Sequence, residues 1–137
     1  MYMHNYPVMF IIMIMSGLLS TMNIWVDKYQ DIRLGINDIY MTLLMTGWMF
    51  FFMGIFYIDK PIILFGLTLI LLMFWCIRTQ YLVNQNQYIM GMIPHHSMAI
   101  HMSKKLLKEK PAIEPFLIKI IHIQEKEIEY LNGSIIK

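Results

Sequence analysis

No aspartate, glutamate, lysine or arginine precedes Asp27, and the uncharged apolar run Val8 to Val26 fills most of that stretch. A helix through a bilayer needs about 20 such residues, so this run alone restricts the chain to a membrane-compatible fold. A second uncharged run covers Ile39 to Ile58. A third covers Pro61 to Ile77, with Thr79 extending it to an interface. The 58% hydrophobic content exceeds the roughly 45–50% usual for a soluble domain. These runs predict transmembrane helices at 8–26, 39–58 and 61–79. Trp25, Tyr29, Tyr40, Trp75 and Tyr81 would lie at one membrane face, and Tyr2, Tyr6 and Tyr57 at the other, the placement of interfacial belts. Asp59-Lys60-Pro61 reads as a tight turn opening the third helix, and Asn37-Asp38 as an N-cap for the second. No basic residue precedes the first run and no small-x-small site follows it, so it reads as a retained span rather than a cleaved signal.

Beyond Tyr81 most of the lysines appear and the pattern turns amphipathic. The expected organisation is a membrane domain over 1–80 and a helical hairpin over 81–137. A helix from about Gln85 to Lys108 would place Tyr88, Met92, His95, Ala99, Met102 and Leu106 on one stripe. Ser97, His101, Lys104, Lys105 and Lys108 would fall opposite. Pro94 predicts a kink or a helix start, since it cannot donate a helical hydrogen bond. The last helix is expected from Pro111 to Leu131, with Asn132-Gly133 as a left-handed cap. Its apolar stripe is Ile113, Leu117, Ile120, Ile121, Ile128 and Leu131. Gln124 on that stripe and Glu127 at its edge need partners, because unsatisfied burial costs about 1–3 kcal/mol each.

The chemistry concentrates in Met90 to Met102, thirteen residues with four methionines and three histidines. Thioether sulfur prefers Cu(I), and imidazole serves several transition metals, so the mixture leans towards copper. The plainer alternative is that the methionines fill core gaps and the histidines serve packing. His95, His96 and Met92 are the expected ligands. Gln124, Glu127, Met98 and Met102 would support them, the first two by orienting an imidazole through its other nitrogen. His101 and His122 are expected in solvent.

The run Met92, His95, His96, Ala99, Ile100, followed by Gln124, Glu127 and Ile128 on the next helix, resembles the domain of unknown function (DUF) 305 family. Three upstream spans, a Met-rich second span and the exit Arg78-Thr79-Gln80 resemble its small membrane-bound members. The resemblance implies a ferritin-like helical bundle, export, and copper-binding relatives associated with copper tolerance; it implies no enzymatic activity. Relatives often carry the helical pair twice, and this chain carries it once. The expected fold is therefore all-α, three transmembrane helices and a two-helix hairpin that forms a four-helix bundle as a homodimer. Ile113, Leu117, Ile121, Met102 and Leu106 would supply the shared face.

Met41, Met45, Met49 and Met53 recur every four residues along the second span. They form either a packing surface or a ladder of soft ligands. Copper transporters of the Ctr type are similar in span number, in a Met-x-x-x-Met and in a Met/His amino terminus, here Met1, Met3 and His4. The third span has only Gly66 where those transporters have a Gly-x-x-x-Gly packing motif, which ranks transport second. Lys28, Arg33 and Arg78 against Lys60 favour a cytoplasmic C-terminal domain by the positive-inside count. Met/His ligation and family habit favour an extracytoplasmic one, the orientation adopted here. With a net charge of +2 and no aromatic interleaving of Lys104, Lys105, Lys108 and Lys110, nucleic acid is not an expected partner, whereas membrane lipid is. There is no phosphate-binding loop, catalytic triad pattern or cysteine pair. The reading is a membrane-anchored, non-enzymatic copper-binding protein, with other transition metals as alternatives. The competing readings are a copper transporter and a purely structural helical membrane protein.

Overall fold

The computed structural model describes residues 5–135, so Met1, Tyr2, Met3 and His4, invoked above, lie outside the described residues. Those described are all-helical: α1 (Tyr6–Leu19), α2 (Ile36–Tyr57), α3 (Lys60–Thr79), α4 (Gln85–Leu107) and α5 (Glu114–Gly133). Short 3-10 turns lie at Met22–Trp25 and Tyr29–Asp31. The chain sorts into two compact units. One comprises residues up to Thr21 together with Ile36–Leu82. The other joins Met22–Gly35 to the residues from Val83 onward.

Three stretches, Tyr6–Trp25, Ile36–Tyr57 and Lys60–Thr79, are long and apolar enough to cross a membrane, and all but the end of the first, from Met22 onward, lie in the first unit. The α-helix of the first ends at Leu19 rather than Val26. Asn23 explains the early stop: its side chain donates to the Arg33 carbonyl at 2.6 Å and accepts from the Arg33 amide at 2.9 Å. That pairing ties the chain into a loop in place of further helix. Asn37 lies inside α2 and does not cap it, because the helix already begins at Ile36; its amide faces Gln80 instead. Asp59 does cap α3, accepting from the Ile62 amide, and its other oxygen receives the Tyr6 hydroxyl at 2.8 Å. Tyr40 is buried, and its hydroxyl donates to the Tyr81 carbonyl at 2.6 Å. The buried stripe of α2 is Thr42, Thr46, Phe50 and Gly54. Thr46 donates its hydroxyl to the Thr42 carbonyl, so this buried hydroxyl is paired within its own helix.

Close approach of α2 and α3 depends on glycines from both helices. A Cβ at Gly54 would stand 2.6 Å from the Ile63 amide nitrogen, and one at Gly66 would meet the main chain of Phe51 and Gly47. Gly66 therefore packs against a glycine of the neighbouring helix and needs no second glycine on its own.

In the second unit Ile89, Ile93 and Ile100 of α4 close on Ile128 of α5, flanked by Ile121, Leu131 and Ile135. These branched residues, rather than Met92 and His95, define the inward stripe of α4. The helix is turned by about one residue, roughly 100°, from the expected facing. Ser97, expected in solvent, is fully buried, while Tyr88, Met102 and Leu106 are exposed. α4 runs unbroken through Pro94. α5 opens at Glu114, with Pro115 rather than Pro111 in its first turn, and continues through Gly133 to a Ser134 cap. No glycine among the described residues has a positive φ, so the expected left-handed glycine cap is not used.

The hairpin has a third wall. The two 3-10 turns of Met22–Gly35 pack on α4. The Ser97 hydroxyl donates to the buried Asp31 carboxylate at 2.6 Å and accepts from the Asp27 amide at 2.9 Å. Lys104 reaches Asp27 at 2.7 Å and Glu125 at 3.4 Å. The hydrogen bond to Asp27, foremost, raises the Lys104 pKa above its ordinary value. Arg33 donates to Asn132 at the end of α5. Trp25 and Tyr29, expected at a membrane face, belong to the segment whose 3-10 turns pack on α4.

Candidate metal centre

His95 and His96 are sequence neighbours on a helix, so their side chains leave the axis about 100° apart. Their ring planes are nearly perpendicular, with centroids 6.0 Å apart. His96 points inward and is 8% exposed. Its Nε2 lies 2.8 Å from a Glu127 carboxylate oxygen, and its Nδ1 lies 2.7 Å from the Met92 carbonyl. Both neighbours are acceptors, and a neutral imidazole has only one N–H. Satisfying both at once needs a proton on each nitrogen, and binding a metal needs one of the two contacts released. Met92, His96 and Glu127 line one small cavity of about 220 Å³ with Tyr88, Tyr130 and Leu131. Met92 meets the His96 ring through its main chain.

His95 is exposed and opens onto a different recess of about 730 Å³. Met98, Met102, His101 and Trp25 line it too, over an apolar base that includes Leu117. The expected ligand set is therefore split: His96, Met92 and Glu127 on one side of α4, His95, Met98 and Met102 on another. Gln124 is half-buried and His122 exposed, and neither joins the contacts of His96. His101, expected in solvent, is half-buried at the second recess. Among the described residues no three side chains of the His, Cys, Asp or Glu type converge as metal ligands. Imidazole and thioether side chains line both recesses, a donor mixture that suits soft ions.

Trp25 escaped the sequence reading as a site residue because its position next to α4 depends on a long-range fold. Its apolar neighbours in sequence made a membrane belt the simpler assignment.

The methionine ladder of α2 flanks the buried stripe. Met41 and Met45 are exposed, and Met49 and Met53 are half-buried. Replacing all four by leucine should preserve folding and any copper phenotype, since volume-conserving swaps cost below about 1.5 kcal/mol each. Unfolding measured beside copper tolerance or uptake checks this; lost copper handling in a folded quadruple variant would promote the transporter reading.

Residues 81–135 match the model of a domain of unknown function, DUF305. An uncharacterized protein, L153, of Acanthamoeba polyphaga mimivirus is 42% identical over 125 residues, covering 86% of this chain and 82% of that protein. No solved structure matches the chain.

Proposed function

This chain belongs to the DUF305 family, and from that premise we propose that it is a membrane-anchored protein that sequesters or relays copper, favouring Cu(I). The observation that carries the reading is the concentration of Met92, His95, Met98 and Met102 around the recesses of one helix, α4. Thioether and imidazole donors together select a soft ion. His96, gripped by Glu127, belongs to the same constellation either as a ligand or as the group that fixes the helix pair. The three apolar helices act as the anchor, and the second unit faces the extracytoplasmic side, where methionine and histidine ligands persist without thiolates.

A homodimer completes the proposal. Leu117 is buried inside the hairpin and Ile121 is half-buried, so they are largely spent within one copy. Met102, Leu106, Ile113 and Phe116 remain exposed as the face for a second copy.

Detergent-purified full-length protein titrated with Cu(I) against a chromophoric chelator tests the function. Wild type and His122→Ala should withdraw copper equally, and His95→Ala/His96→Ala should lose at least tenfold in affinity, about 1.4 kcal/mol. Failure of the wild-type protein to withdraw any Cu(I) would overturn the proposal, leaving the histidines to packing.

A further inference from the structure

α1 and α3 both pack on α2. Towards its end α1 comes close, and a Cβ at Gly17 would stand 2.5 Å from the Thr42 side chain. At its start, aromatic rings fill the contact instead. The Phe50 ring of α2 lies 6.3 Å, centroid to centroid, from both Tyr6 and Phe10 of α1, and 5.4 Å from Phe65 of α3. Rings of this bulk hold the first turns of α1 away from α2 and α3. An open recess of about 470 Å³ remains over Phe50, lined also by Ile11 and Ile62. That volume falls within the roughly 300–1,000 Å³ of ligand clefts, and its walls are hydrocarbon.

One edge of the recess is polar. Tyr6 and Ile62, which line it, both bond the Asp59 carboxylate: the phenol hydroxyl donates at 2.8 Å and the Ile62 amide at 3.4 Å. An ionised carboxylate offers about four acceptor positions, so it can take a further donor. Lys60 follows directly in sequence. It is exposed, and no hydrogen bond or ion pair engages its ammonium among the described residues. A carboxylate and an ammonium thus stand together at the head of an apolar trough, where two membrane-length helices begin. The complementary molecule carries an ammonium next to a phosphate, on a hydrocarbon tail. We infer that this recess holds a phosphatidylethanolamine. Its acyl chain lies against Phe10, Phe50 and Phe65, its ammonium donates to Asp59, and its phosphate pairs with Lys60. A primary ammonium suits Asp59 better than a choline group, because only the former has an N–H to donate in a charge-assisted bond. The site rests on the membrane-anchor part of the proposed function and is independent of copper.

The test is native mass spectrometry of the full-length protein released from bilayer discs. The discs contain phosphatidylethanolamine, phosphatidylcholine and phosphatidylglycerol in equal parts. Wild type should retain phosphatidylethanolamine about fivefold or more over either other lipid, a difference well within reach of one charge-assisted contact. Asp59→Asn keeps an acceptor for the α3 cap and should abolish the preference while its helical circular dichroism is unchanged. Ile62→Phe fills the trough and should lower total retained lipid. Equal retention of the three lipids by wild type, or a preference that survives Asp59→Asn, would overturn the site and leave the anchor and copper readings standing. A chain recovered outside the discs would remove the anchor reading and this site together.

Discussion

Replacing Gly66 with leucine should separate α2 from α3 and cost about 3 kcal/mol or more, the upper end of overpacking penalties. The reason is the identity of the atoms in the way. A side chain at Gly66 meets the main chain of Phe51 and Gly47, and backbone cannot rotate aside as a side-chain tip can. Gly91 provides the contrast, because a Cβ there meets nothing within 4 Å. Gly91→Ala should stabilise α4 by about 0.5–1 kcal/mol, the helix-interior difference between these residues. Denaturant titration in mild detergent, followed by circular dichroism, measures both. A Gly66→Leu protein as stable as wild type would show that the helices pack without this close contact.

Ser97→Ala should be the most damaging small change in the second unit, with an expected loss of about 2–4 kcal/mol. Removing one hydroxyl orphans two groups at once: the Asp31 carboxylate, in a residue only 6% exposed, and the Asp27 amide. A hydrogen bond to a charged group contributes about 1.5–3 kcal/mol, and an abandoned buried polar group adds its desolvation cost. Amides of Met22–Gly35 should then exchange with solvent faster as a group. Combining Ser97→Ala with Asp31→Leu should recover much of the loss, because no buried charge is left unpaired. Additive losses in the double variant would mean that the two side chains do not act as a pair.

Elements with strong local signals were legible in the sequence. The apolar runs located α2 and α3 to within a turn, and Asp59 with Pro61 marked the start of α3. Facing was harder. Methionine and isoleucine alternate so densely in α4 that two stripes, one residue apart, satisfy helical periodicity. The isoleucines won because their branched side chains fill the contact with α5, and this moved His96 inward and His95 outward. The Glu127 contact to His96 could be anticipated from a carboxylate at the edge of an apolar stripe. The Asp31–Ser97 contact could not, since nothing local at Asp31 signals a partner 66 positions away. Proline and glycine misled at the hairpin ends: Pro111 lies in the connection, and Gly133 stays helical.

The segment Met22–Gly35 has a consequence for how the chain is made. It leaves the ribosome before α2 and α3, whereas Ser97 and Lys104, which anchor it, come 66 to 77 positions later. Contacts of such sequence separation form slowly, because a long loop must close before they stabilise anything. During that interval the Asp31 carboxylate and the Trp25 ring have no helix to rest on. The packing around the hairpin is complete only once this earlier segment has docked on α4. A fragment cut at residue 81, where the family match begins, contains α4 and α5 but leaves their third wall behind.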